Sequence, residues 1–228
     1  MTPHVIVSYD DTPNDQDALA LARRFADAGA RISLAYVRHA HEADSQREVL
    51  EESAARALLD RGAETLGAAD AQRHVILDAS TAEGLRALAE REQADVIVFG
   101  SAYRTPDGSV APQKTAERLL EDGPAAIAIA PAGLRTTDWR IGRTGVLADA
   151  DDSAAADTAR TLAGALGAVV AEPGTGAVDL LIVGSRAEAV PGRVLLSATA
   201  AYAIETASCP VLAVRRSVPV TFGALVSH

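Results

Sequence analysis

The chain has 228 residues, 48% of them hydrophobic and 23% charged, with a formal net charge of −10. That is the composition of a globular protein of one or two domains. The negative balance argues against a nucleic-acid backbone or an anionic membrane as partner, although a local cluster of backbone amides could still hold a phosphate.

Large aromatics make up only 4% of the residues, so the core must be built from Ala, Val, Leu and Ile. No apolar run reaches the ~18 residues of a membrane helix. The one cysteine, Cys209, allows no internal disulfide and fits a reducing compartment. It precedes Pro210 at the mouth of an apolar run and reads as a packing residue. The start MTPHVIVSYD enters an apolar run directly and lacks the basic opening of a signal peptide, so a cytoplasmic protein is expected.

In chain order, His4 to Tyr9 reads as a first strand, closed by Asp10 and Asp11. Thr12 then serves as N-cap, with Pro13 at the first helical position and Asp15 three along. Leu19, Ala22, Phe25 and Ala26 keep helical spacing up to Gly29. Ile32 to Val37 is a second strand. His39 and His41 follow with no Cys or third His nearby, and read as a solvated loop rather than a metal site. Ser45 to Glu48 is a capping box opening a long helix, expected to turn Leu50, Ala54, Ala57 and Leu58 inward. Val75 to Leu77 is a third strand, and Ser80 caps a third helix. Val96 to Phe99 is a fourth strand, followed by Gly100-Ser101, a polar loop, a helix over Thr115 to Glu121 and a strand over Ala125 to Ala130.

This last unit occurs twice. VDLLIVGS (Val178 to Ser185) repeats ADVIVFGS, and SCPVLAV (Ser208 to Val214) repeats PAAIAIA (Pro124 to Ala130), in both cases 84 positions later. Thr144 restarts the pattern with TGVLADADDS, in which Asp149 matches Asp10 at an offset of 139. A helix is expected over Ser153 to Leu166 and a strand over Ala168 to Ala171, with Gly167 matching Gly29. The two offsets differ by 55 residues, about the length from His39 to Gln93, so the second copy lacks one helix–strand–helix block. Pro173 to Gly176 bridges the cut. Strands alternating with helices imply a mostly parallel α/β sheet with helices on both faces. The expected domains are a complete unit over 1–132, a linker over 133–143 holding Trp139, a truncated unit over 144–216, and a tail over 217–228. The tail carries Pro219 and could add an edge strand within or between chains.

Asp10 after the first strand, Gly100-Ser101, the Glu117-Arg118-Leu119-Leu120 helix and the final apolar strand resemble the universal stress protein family. The second copy resembles it through GSRAEAVPGRVLLSATAAYAIETASCPVLAV. The resemblance implies a Rossmann-like, flavodoxin-like sheet in order 3-2-1-4-5, with 2-1-4-5 left in the truncated copy. It also implies a ligand crevice where strands 1 and 4 diverge. ATP-binding members carry Gly-x2-Gly-x9-Gly followed by Ser or Thr. By that resemblance the nucleotide-binding candidates are Asp10, Val37, Gly100 and Ser101 in the first half, and Asp149, Gly184, Ser185, Ser197 and Thr199 in the second. Asp10 would approach the ribose and Val37 the adenine.

Both halves depart from that pattern. Tyr103 and Gln113-Lys114 stand at the later glycine and hydroxyl positions of the first copy, where a Tyr ring would obstruct phosphate. The second copy has Ala187 and Ser197-Ala198-Thr199, all small, preceded by Gly192-Arg193. The Ser-Gly-Gly-x-Asp loop of adenylating enzymes with a similar fold is replaced by Tyr9-Asp10-Asp11-Thr12-Pro13. Adjacent pairs such as Asp10-Asp11 and Asp151-Asp152 are expected to diverge. The expected function is a non-catalytic stress-response module acting through self-association or a protein partner. The alternative is a sensor of ATP, AMP or cyclic AMP, with a slow ATPase ranked below both.

Overall fold

The computed structural model describes residues 2–39, 45–148, 151–172 and 176–223, apart from the side chains of 45–47. The first half runs β1 (His4–Ser8), α1 (Pro13–Asp27), β2 (Arg31–Arg38), α2 (Ser45–Leu66), β3 (Gln72–Leu77), α3 (Thr81–Arg91), β4 (Val96–Gly100), α4 (Lys114–Asp122) and β5 (Ala126–Ala130). After a 3₁₀ turn (Leu134–Thr136), the second half runs β6 (Arg143–Leu147), α5 (Ala154–Leu166), β7 (Val169–Val170), β8 (Leu180–Val183), α6 (Ala198–Glu205) and β9 (Val211–Ala213).

The strands of each half take the expected order, β3-β2-β1-β4-β5 and β7-β6-β8-β9. What the sequence does not announce is that both belong to one nine-stranded sheet. The join is antiparallel, with Ile127 opposite Ala213 and Ile129 opposite Val211, while every other pairing is parallel. β5 is buried along its whole length, as its unbroken apolar sequence AIAIA requires for a central strand. The antiparallel join makes the halves pseudo-two-fold mates, so the carboxyl ends of one half's strands sit beside the amino ends of the other's.

Each face of the sheet carries one core that spans both halves. Phe25, Leu59, Leu162 and Phe222 lie together on one face, under α1, α2 and α5. Leu85, Leu119 and Ile204 lie on the other, under α3, α4 and α6. Burying so much Leu, Ile and Val, at about 1.5–3 kcal/mol per side chain, is the main driving force holding the halves together.

Two sequence expectations need correction. The inward stripe of α2 is Ala55, Leu59, Ala63 and Leu66, whereas Leu50, Ala54 and Ala57 face solvent and Leu58 is half-buried. Tyr9 sets that register: its buried ring lies so close to Gly62 that a Cβ there would fall 2.8 Å from the ring edge. The tail is the second: over 218–223 it adds no edge strand to this chain's own sheet and lies along α5. Thr158 Oγ1 accepts from the Val220 amide at 2.9 Å, and Thr161 Oγ1 accepts from the Phe222 amide at 3.3 Å. The Phe222 ring packs on Phe25 with centroids 5.5 Å apart, so the tail ties α5 to α1 across the junction. Residues 224–228 are outside the described part. The truncated half ends on β7, whose Val169 and Val170 are exposed.

The linker and the tail repeat each other's anchorage. Gly133 and Ser217, 84 positions apart, both take left-handed backbone. The Gly133 amide donates to the buried Asp17 carboxylate at 2.9 Å, and the Ser217 amide donates to Asp152 at 3.0 Å. Arg135 adds a charge-assisted bond to Asp17 at 2.8 Å.

Candidate functional site

In the first half the carboxyl ends of β1 and β4 meet the first turn of α1. Thr12 caps that helix as expected, and the Asp15 carboxylate closes the capping box. Asp15 also reaches further. Its Oδ2 accepts from the Asp10 amide at 3.0 Å, the Thr12 amide at 3.1 Å and the Thr12 hydroxyl at 2.7 Å. The backbone donors that an incoming anion would use after β1 are therefore already bound by an internal carboxylate.

On the β4 side, the Asn14 side-chain amide donates to the Ser101 carbonyl at 2.6 Å, and Gln113 Nε2 donates to the Gly100 carbonyl at 3.0 Å. Gly100 has no left-handed backbone. Its need for glycine is steric, because a Cβ there would overlap the Asn14 backbone carbonyl. Glycine here lets α1 pack onto the end of β4.

The Ser101 side chain is fully buried. Its hydroxyl donates to the Ala130 carbonyl at 2.7 Å and accepts from the Ala111 amide at 3.2 Å, closing the loop between β4 and α4 onto the end of β5. Ser185 does the same in the second half, donating to Val214 at 2.7 Å and accepting from Leu195 at 3.1 Å. The loops match in backbone as well. Ala102 donates to the Ala111 carbonyl at 2.8 Å, and Arg186 donates to the Leu195 carbonyl at 2.9 Å.

Tyr103 does not point into the crevice. It is 84% exposed, with the Arg104 guanidinium 5.2 Å from its ring centre. The left-handed residue of that turn is Arg104, and Gln113 keeps an ordinary extended backbone. Lys114 is exposed at the first position of α4. Val37 lies at the end of β2 inside the core beneath α3, beside Gly84.

Asp10 is exposed at the end of β1. Partial withdrawal from water and the nearby Asp15 charge push its carboxyl above the ordinary range, while His39 acts in the opposite direction. Asp11 diverges from it, accepting from Tyr9 at 2.7 Å and from Arg61 of α2 at 2.7 Å, which holds its carboxyl below the usual range. His39 Nδ1 lies 3.3 Å from the Asp78 carbonyl. His41 is outside the described residues, among which no group of three metal-ligating side chains occurs.

Among the described residues, fewer side-chain bonds cross the second crevice. Asp149 is outside the described residues. Gly184 faces Ala148 and Ala155, and a Cβ there would lie 2.8 Å from the Ala148 Cβ, a side-chain contact instead of a backbone overlap. Ser197 caps α6 by accepting from the Ala200 amide at 3.2 Å. Unlike Gln113, it does not reach back to the glycine carbonyl. Thr199 is exposed on the first turn of α6. Arg193 is engaged across the junction with Glu90 of α3 at 3.1 Å. Asp152 accepts from the amides of Ala154 and Ser217, and Asp151 and Asp152 both pair with Arg216, at 2.9 and 3.7 Å; against expectation, these neighbouring carboxylates converge on one guanidinium. Cys209 is half-buried, its thiol pushed up to about 11 by burial.

Sequence reading could name Gly100 and Ser101 with their copies, and Asp15, but not the contacts they make. Asn14 carried no signal at all. Gln113 stood out only as a departure from a pattern, although a polar side chain at an N-cap with no capping bond is free to bond elsewhere. The signal for the serine staple was present in the repeat, since Ser101 and Ser185 keep identical spacing to the strands that follow.

Comparisons with known proteins agree with this arrangement. The sequence model of the universal stress protein family matches residues 1–131 and 167–215. A universal stress protein from Archaeoglobus fulgidus DSM 4304 superposes with a TM-score of 0.68 at 15% identity, covering 93% of this chain and 98% of that one. A putative universal stress protein from Pseudomonas aeruginosa UCBPP-PA14 gives 0.62 at 13% identity, covering 95% and 94%. A functionally unknown protein from Pseudomonas aeruginosa PAO1 gives 0.63 at 12% identity, covering 95% and 93%. At such identities these likenesses speak to the fold alone. No curated protein matches the sequence. The family model covers most of the chain, its first segment spanning β1 to β5 and its second β7 to β9; the chain belongs to the universal stress protein family.

Proposed function

We propose that this protein is a non-catalytic member of its family, in which the first nucleotide crevice is filled by the chain's own side chains and function is exerted through protein contacts. The observation that carries this is the Asp15 carboxylate on the Asp10 and Thr12 amides, with Asn14 and Gln113 on the facing carbonyls. Phosphate would have to displace a buried carboxylate from three donors, and charge repulsion with Asp10 and Asp15 would oppose it. The divergence of Asp10 from Asp11 leaves no paired acid and base among the described residues at the end of β1, which supports the non-catalytic reading.

The alternative is an adenine-nucleotide sensor, and it is favoured only at the second crevice. There the residues are small, Thr199 is exposed at the start of α6, and among the described residues no side chain equivalent to Gln113 covers the glycine carbonyl. Titration calorimetry with ATP, ADP, AMP and cyclic AMP separates the two. The proposal expects no saturable heat at millimolar ligand. Binding that is lost on Gly184→Val but kept on Gly100→Ala would establish the second crevice as a sensor.

A further inference from the structure

α4 and α6 run beside each other over the β5–β9 junction and enclose a groove of about 270 Å³. Its lining repeats across the pseudo-two-fold axis: Pro112, Leu120 and Glu121 line it together with their copies Leu196, Ile204 and Glu205, each 84 positions later. Leu120 and Ile204 form a buried apolar floor, while Pro112 and Leu196 are half-buried walls. Glu121 and Glu205 stand exposed at matching positions on the rim, joined by Glu117 one turn earlier on α4. None of these three carboxylates has an ion-pair or hydrogen-bonding side-chain partner among the described residues. Other acidic side chains on this face do have one, such as Glu83 with Arg86 and Glu90 with Arg193. The cations of α4, Lys114 and Arg118, are exposed and likewise make no described ion pair.

We propose that this groove docks a basic amphipathic segment of a partner protein, seating an apolar anchor on Leu120 and Ile204 between lysines or arginines that pair with Glu121 and Glu205. An apolar floor between unpaired carboxylates matches an apolar residue flanked by cations on both sides. A second copy of this chain, with its net charge of −10, is repelled from such a rim. Docking of this kind presupposes that the chain works through partner contacts, as proposed above. Nucleotide titration bears on the crevices alone, so either result there leaves the peptide measurement independent.

The test is fluorescence anisotropy of a labelled peptide with leucine and lysine at helical spacing, titrated with the full chain. A leucine–glutamate peptide of the same pattern serves as control. Saturable binding of the lysine peptide at one per chain is expected, with little binding of the glutamate peptide. Glu121→Lys/Glu205→Lys should weaken it by about tenfold or more, while Glu64→Lys on the opposite sheet face leaves it within about twofold. All three sites are exposed, and circular dichroism checks the fold. If the double variant misfolds, Glu117→Lys alone provides the comparison. Absence of saturable binding, an equal loss with Glu64→Lys, or equal binding of both peptides would overturn the proposal. So would sedimentation showing a dimer that the double variant dissolves, because the groove's occupant would then be a second copy.

Discussion

Ser101 and Ser185, 84 positions apart, hold the same bond: each buried hydroxyl donates at 2.7 Å to the carbonyl of the residue 29 positions ahead, Ala130 or Val214. Each also accepts from the amide 10 positions on. The Gly-Ser pair that marks a phosphate loop in sequence is, in this fold, a loop staple. Ser101→Ala and Ser185→Ala should therefore each cost about 1–3 kcal/mol by leaving a buried amide and carbonyl short of a partner. Urea denaturation should show similar losses for the two, since their geometry is the same. A loss at one site only would mean the repeat is not energetically equivalent.

Gly100 and Gly184 should respond differently to alanine. At Gly100 the added methyl meets the Asn14 backbone, which cannot yield without moving α1, and a loss above about 3 kcal/mol is expected. At Gly184 it meets the Ala148 Cβ at 2.8 Å, a milder approach that a shift of a few tenths of an ångström relieves, and about 1–2 kcal/mol is expected. Thermal melting of the two variants gives the ranking.

The tail should be worth more than its position suggests. Phe222→Ala removes a buried ring that contacts Phe25, and should cost about 3 kcal/mol. Deleting 217–228 should cost more, since Val220 and the Ser217 bond to Asp152 go with it. An unchanged melting temperature would restore the view of the tail as a free edge.

Asp10 gives a pH signature. Its folded carboxyl titrates above the ordinary range, so its contribution to stability is fully present below the unfolded value and is lost as pH rises through the folded one. Asp10→Asn should therefore be more stable than the parent at neutral pH and equal to it in acid, near pH 3. The gain should be about half a kcal/mol, because the group is exposed and screened. A variant less stable at neutral pH would show that the Asp10 charge is needed by an interaction not seen here.

The fold was legible because its evidence is periodic. Short apolar runs, capped helices and a repeat at fixed offset gave the element order and the missing block, while the strand order of each half came from the family resemblance. The join of β5 to β9 was not legible, because AIAIA buried against a partner strand reads the same whichever strand that partner is. The register of α2 was misread because its inward face is set by Tyr9 lying on Gly62, a contact remote in sequence. At the crevice, residue identities did not give the direction of each side chain. Tyr103 looked like the obstruction and faces solvent, whereas Asn14, Asp15 and Gln113 fill the site.

The most direct measurement is an ¹⁵N–¹H NMR titration with millimolar ATP, following the backbone amides of Asp10, Thr12, Gly100 and Ser101 and the side-chain amides of Asn14 and Gln113. With the Asp10 and Thr12 amides and the Asn14 and Gln113 side chains bonded internally, the resonances of this crevice should stay in place while ligand is added. Saturable shifts of the Asp10 and Thr12 amides, together with release of the Gln113 side chain, would show that nucleotide displaces Asp15 and would contradict the central claim.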